Sequence, residues 1–223
     1  MQDYGQAQLY ADSCILSQGE LVDYNTLDLD AAFPFGQFND EVIFHATLNF
    51  SASGAHYVDT VLYDFYADND LRKQLFFRHD GDRILFKGNY TGTSWFFGGL
   101  ALDEQWLISA ECMARQGNSN DALERINALW RNRFQADEMD GIPVELSSEE
   151  LLDVILEEKR KQLAFRGTRW EELRRLNLEP NRAVDIIRMI KGQRHILEAN
   201  SNRYTLPIPD DVIAISGVRQ NPR

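Results

Sequence analysis

The chain has 223 residues, 43% of them hydrophobic, and a formal net charge of −12. It holds enough apolar material for a packed core and too much for wholesale disorder. It lacks a block of Lys and Arg, which argues against nucleic acid or an anionic membrane surface as partner, and no run of about 18 apolar residues is present to span a bilayer.

Residues 3–17 read as a helix, with Tyr4, Ala7, Ala11, Cys14 and Ile15 on one face and Gly19 as the stop. Asp28 to Asn39 reads as a loop or short helix, because Pro34 and Gly36 interrupt Phe33, Phe35 and Phe38. A short strand is expected over 39–47, and a small polar loop over Ser51–Ala55. Val58, Val61, Leu62 and Phe65 have helical spacing, and Asp80-Gly81 is a hairpin turn between two β-type runs, 74–78 and 83–87. The next loop, 88–99, carries four glycines and four aromatic residues. Leu102 to Gln116 is a helix ended by Gly117, and Asn118 to Asn120 offer N-caps for a second one with Ala122, Ile126 and Leu129 inward. The pair is an αα-hairpin of tetratricopeptide type. Residues 137–143 read as a loop.

Ser147 and Glu150 then fit a capping box, and Leu152, Ile155, Leu156 and Leu163 recur at helical spacing up to Gly167, a left-handed stop. A second helix starts at once, in which Trp170 and Leu173 lie three apart and can face the first helix. From periodicity alone this is equally a helix hairpin with a solvated charged face. Val184 to Ile190 reads as a short helix or strand, 191–202 as loop. The tail, Leu206-Pro207-Ile208-Pro209, takes an extended path, with Asp210 placed to cap a last turn.

Little here points to catalysis. His45, His56, His79 and His195 lack metal-binding spacing, and no nucleophile elbow, phosphate-cradling loop or dinucleotide fingerprint occurs. No cofactor is implied. Cys14 and Cys112 read as buried free thiols, with a disulfide between them left open. A non-catalytic sugar binder needs exposed rings for C–H faces and planar polar groups for hydroxyls. The 88–99 loop offers Asn89, Tyr90 and Trp95 for that role, against the alternative that Trp95, Phe96 and Phe97 anchor the loop onto helices.

The stretch Glu158-Lys159-Arg160-Lys161-Gln162-Leu163-Ala164-Phe165-Arg166-Gly167-Thr168-Arg169-Trp170-Glu171-Glu172-Leu173-Arg174-Arg175 resembles the SusD/RagB run E-R-x-x-E-L-a-F-E-G-x-R-w-x-D-L-x-R. Lys159 stands for an Arg, Gln162 and Arg166 for Glu, and Glu172 for Asp. Further resemblances are Asn39-to-Phe44 to N-E-x-I-F, Asp68-Asn69-Asp70-Leu71-Arg72-Lys73 to D-x-R-x, 110–118 to A-E-x-x-A-R-x-G-N, and 204–222 to L-P-I-P…Q-N-P. The resemblance implies a mainly α, SusD-like fold of tetratricopeptide-like hairpins with a small β-hairpin and long loops, as one domain over 1–223. It implies a non-catalytic, lipid-anchored nutrient-binding protein of the outer membrane, which delivers a glycan to a TonB-dependent, SusC-like transporter. Met1-Gln2-Asp3-Tyr4 opens no signal peptide and Cys14 lacks a lipobox context, so the chain is expected to be the C-terminal portion of a longer protein. The motif residues Arg169, Trp170 and Arg175 are expected to be architectural. A helical-repeat scaffold binding a protein, and a hydrolase with a hidden site, are the other readings.

Overall fold

The structure is a computed structural model that describes residues 3–51, 57–138, 141 and 145–223. The chain divides into two compact units, Met1–Gly167 and Thr168–Arg223. It is mainly helical, with short antiparallel strand pairs, as the resemblance implies.

In the first unit, α1 (Tyr4–Gln18) is N-capped by Asp3, whose carboxylate accepts from the Gln6 amide. Ala11 is buried, while Leu9, Tyr10 and Leu16 on the same helix are exposed. The strand expected over 39–47 is two strands, β1 (Val42–Phe44) and β2 (Thr47–Ser51). Most of the Ser51–Ala55 loop lies outside the described residues, as does His56 and part of the 137–143 loop. One-turn helices α2 (Thr60–Tyr63) and α3 (Arg72–Leu75) precede the hairpin β3 (Phe77–Asp80) and β4 (Arg83–Phe86), which turns at Gly81 as expected. β5 (Trp95–Phe97) pairs with β2, and β6 (Leu100–Ala101) with β1.

The helical hairpin forms as read: α4 (Leu102–Arg115) and α5 (Ser119–Arg131) are joined through Gly117 in a left-handed conformation. α6 (Ser148–Gln162) carries the expected reciprocal capping box between Ser147 and Glu150. α4 is the packing centre, touching α1, α5 and α6. The loops enclose an aromatic core of Tyr24, Phe35, Phe76, Phe77, Phe86 and Tyr90. Most of these rings meet edge-to-face or tilted, for example Tyr24 on Phe35 at 5.1 Å and Tyr66 on Phe77 at 5.0 Å. Phe165, in a left-handed conformation, stacks on Phe86 at 4.5 Å.

In the second unit, α7 (Arg169–Leu176) is followed by strands β7 (Ile186–Ile190) and β8 (Gln193–Leu197) and by α8 (Asp210–Ser216). Part of 191–202, expected to be loop, is therefore a strand that pairs with β7 through a turn at Lys191 and Gly192, both left-handed. Trp170 lies over Tyr204 at 4.7 Å and donates Nε1–H to its carbonyl at 3.2 Å. The proline-bracketed tail closes on itself. Gln220 donates to the Ile208 carbonyl at 3.0 Å and accepts from the Ile208 amide at 2.9 Å, and Asn221 donates to Leu206 O at 2.7 Å. Ile208 has an N–H to offer where the flanking prolines have none, so one side-chain amide serves both of its backbone groups.

Candidate functional site

The motif residues of the first unit converge on a buried charge network. Asp70 and Arg72 lie two apart, so the Arg72 guanidinium folds back onto the carboxylate, Nε to Oδ1 and Nη2 to Oδ2 each at 2.8 Å. Its other edge reaches Glu158 on α6, and Lys161 pairs with Asp70 at 3.0 Å. Arg133 donates to Glu41 at 2.6 Å, and Arg166 grips Asp103 bidentately at 3.1 and 2.7 Å. Glu41, Asp70, Asp103 and Glu158 are thus matched by Arg72, Arg133, Lys161 and Arg166, all eight buried.

Gln162 joins the two halves. Its Oε1 accepts from Arg72 at 3.1 Å and Arg133 at 3.2 Å, while its Nε2 donates to Asp103 at 2.7 Å and the Tyr24 hydroxyl at 3.1 Å. A Glu here, as in the family run, would set a carboxylate against Asp103. The amide at 162 and the arginine at 166 are a consistent pair: one removes an anion, the other adds a cation to the anion that remains. Burial raises the Glu41 carboxyl, Arg133 opposes this and nearby Asp103 adds to it; the net direction is up. Burial also pushes Asp103 and Glu158 upward, but Arg166 and Arg133 around the first, and Arg72 and Lys161 around the second, more than offset it. Asp103 ends below the usual range and Glu158 at about 2.

The loop residues proposed for sugar contact part company. Tyr90 is 1% exposed: its hydroxyl bonds to the Tyr24 hydroxyl and donates to Glu41 at 2.8 Å, and burial raises its pKa. Asn89 is 3% exposed. Both side chains belong to the interior. Trp95 is 46% exposed, while Phe96 and Phe97, its neighbours on β5, are buried anchors. A threonine clip fixes it: Thr91 Oγ1 donates to Trp95 O at 2.8 Å, and Trp95 N donates to Thr93 Oγ1 at 3.2 Å. Gly98 and Gly99 are close-approach residues; a Cβ on Gly99 would lie 2.0 Å from the Phe44 carbonyl oxygen. The separate β1–β6 pair carries two more exposed apolar groups that sequence reasoning missed, Phe44 and its cross-strand partner Leu100. Strand alternation was the signal for them, obscured because β6 is two residues long.

An open cleft of about 400 Å³ lies along α4 and α5, lined by Trp106, Met113, Asp121, Glu124, Arg125 and Ala128. Arg125 covers the Trp106 ring at 4.9 Å and pairs with Asp12 at 3.3 Å, which occupies one ring face. His45 packs against Phe38 at 5.0 Å, His79 bonds to Tyr63 OH at 3.2 Å, and His195 sits on β8. Among the described residues no group of His, Cys, Asp and Glu could hold a metal ion, and no helix is long and apolar enough to cross a membrane. Cys112 is buried and Cys14 half-buried; both are free, so no disulfide joins them.

The SusD family model matches residues 102–223, more than half of the chain. The chain belongs to the SusD family. A search of curated proteins finds no match. Among solved structures, a SusD-like carbohydrate binding protein from Bacteroides vulgatus shares 19% identity at a TM-score of 0.64, over 97% of this chain and 55% of its own. A SusD superfamily protein from Bacteroides fragilis shares 18% identity at a TM-score of 0.70, over 99% of this chain and 58% of its own. Surface glycan-binding protein A from Bacteroides thetaiotaomicron shares 19% at 0.69, over 99% and 59%. These likenesses establish a SusD fold, and the chain spans between half and three fifths of the length of the structures it matches.

Proposed function

We propose that this SusD-family chain is part of a non-catalytic, surface-exposed outer-membrane protein that binds an oligosaccharide and passes it to a TonB-dependent transporter. Family membership supports the reading, as do the similar folds of a carbohydrate-binding and a surface glycan-binding protein. The observation that carries it is Trp95, whose indole is 46% exposed while the Thr91–Thr93 clip holds its backbone and its neighbours anchor the strand. A ring carried on backbone fixed before the ligand arrives has only its own side-chain rotamers left to order on stacking against a sugar face. The buried carboxylates are engaged by cations, so the chemistry on offer is shape and stacking. Asn89 and Tyr90, both buried, leave the ligand set; Phe44, on the separate β1–β6 pair, is a second exposed ring.

A glycan panel followed by titration calorimetry with Trp95→Ala tests this. The variant is expected to keep its fold and lose roughly tenfold or more in affinity for whichever glycan binds. Undiminished affinity in a folded variant removes Trp95 from the site; a folded protein that binds none of the panel counts against the glycan reading itself.

A further inference from the structure

Among the described residues, two phenylalanines hold a left-handed backbone, Phe38 and Phe165. For a bulky side chain this conformation is an outlier that persists only where something else holds it. For Phe165 the offset is visible: its ring stacks on Phe86 at 4.5 Å and lies against Phe96 at 5.3 Å. For Phe38 it is not. The backbone has φ +57° and the side chain is 68% exposed; among the described residues its ring contact is His45 at 5.0 Å. A glycine or an asparagine would turn the chain here with less strain. Phe44, exposed on β1, carries no such strain, and exposure of a single apolar side chain is by itself ordinary. Phe38 is both strained and exposed, so packing within this chain does not account for a phenylalanine at that position.

The segment that carries the ring is tied down on both sides of it. Phe35 is a buried anchor, against Tyr90 at 4.8 Å and Tyr24 at 5.1 Å. Asn39 donates its backbone and side-chain N–H groups to the Gly36 carbonyl at 3.3 and 3.1 Å, and its Oδ1 accepts from the Glu41 amide at 3.1 Å. The same segment lies directly against the Trp95 loop. Gly92 sits between the two threonines of the clip, and a Cβ on it would lie 3.0 Å from Gln37 N and 3.6 Å from the Phe35 carbonyl oxygen. A second route joins the two rings: His45, in contact with Phe38, reaches Phe97 at 6.0 Å, and Phe97 is two residues along β5 from Trp95. Two exposed rings thus stand on abutting segments of the first unit, and Gln37, exposed beside Phe38, adds a planar amide.

We propose that Phe38 is a second sugar-stacking contact, and that the ligand is an oligosaccharide lying across Phe38 and Trp95. This rests on the glycan reading of Trp95 and narrows it. A single sugar covers one ring with its C–H face, whereas a chain of sugars offers such a face at each residue and can meet both rings at once. The backbone strain at Phe38 sets its ring in place before the ligand arrives, and the stacked sugar supplies the packing that this chain does not.

The test is titration calorimetry of the full chain, Phe38→Asn and Trp95→Ala with gluco-, xylo- and manno-oligosaccharides, each series running from the monosaccharide to the hexasaccharide. In the series that binds, wild-type affinity is expected to rise with chain length. Phe38→Asn is expected to lose roughly tenfold on the longer members, while its thermal midpoint stays level or rises because the strained phenyl group is gone. Phe38→Leu keeps an apolar side chain without a ring and is expected to show the same loss of affinity. Undiminished affinity for the longer oligosaccharides in folded Phe38→Asn or Phe38→Leu overturns the second contact, and a loss in Trp95→Ala alone then leaves the glycan reading standing. A Phe38→Asn midpoint well below the wild type also overturns it, since the ring is then part of the packing. Wild-type affinity that does not grow with chain length overturns the two-ring arrangement. A wild-type protein that binds no member of any series removes the glycan reading, and this inference with it.

Discussion

Replacing Arg72 with Met gives the sharpest test of the buried network. Arg72 is fully buried and serves Asp70, Glu158 and Gln162. The methionine fills part of the volume but leaves two buried carboxylates with Lys161, at 3.0 and 3.5 Å, as their remaining near cation. Removing one partner of a buried ion pair costs about 3–5 kcal/mol, a large share of the roughly 5–15 kcal/mol that holds a domain folded. For a chain of this size that lowers Tm by roughly 6–20 °C. The pH dependence separates this cause from simple loss of packing. In the native protein Glu158 sits at about 2 against 4.5 in its ordinary state, so its contribution is present above 4.5 and lost as pH falls toward 2. Without Arg72, burial raises the same carboxyl above 4.5; it then opposes folding at neutral pH, and that opposition lifts on acidification. Urea unfolding at pH 7 and at pH 4, followed by tryptophan fluorescence, should show the gap between native and R72M narrowing at the lower pH. Adding Glu158→Met should restore part of the loss. A loss under about 1 kcal/mol at pH 7, or a gap that widens on acidification, refutes the claim that these charges are buried and mutually dependent.

Glu41 and Asp103 should respond in opposite senses. The raised Glu41 carboxyl contributes stability below its ordinary pKa that is lost as pH rises through the shifted value, whereas the lowered Asp103 contributes above its ordinary pKa and loses this as pH falls. At pH 7 Glu41→Gln is therefore expected to be milder than Asp103→Asn, and acid titration of the urea midpoint should flatten above pH 5 in the first variant and below pH 4 in the second. Gly99→Ala forces the 44–46 and 97–99 segments apart and should cost about 1–3 kcal/mol, read as a lower urea midpoint with unchanged helical circular dichroism.

The helices were largely legible because their signals are local. The Ser147–Glu150 box, the Gly117 turn and the Asp80-Gly81 turn each depend on residues within four positions, and each forms as read. The β7–β8 hairpin was not, because a lysine takes the first left-handed position where Asn or Asp would have announced the turn. The charged face of α6 read equally well as solvated; Glu158, Lys161 and Gln162 are instead interior, since their partners lie 86 residues away at Arg72 and 59 at Asp103. The same distance effect misplaced Tyr90. An aromatic residue in a glycine-rich loop looks exposed until Glu41 and Tyr24 arrive to receive its hydroxyl. Trp95, by contrast, is 46% exposed, and among the described residues its ring has no such partner.

The order in which the interior ions emerge from the ribosome has a consequence for synthesis. Glu41, Asp70, Arg72, Asp103 and Arg133 appear first, three acids against two bases; Glu158, Lys161 and Arg166 come last and close the electroneutral set. Without residues 158–166 the buried ions of the preceding segments are left unbalanced. The first unit is therefore expected to reach its packed form only once α6 and Arg166 are available, which pulse proteolysis of chains stopped before and after residue 166 would read.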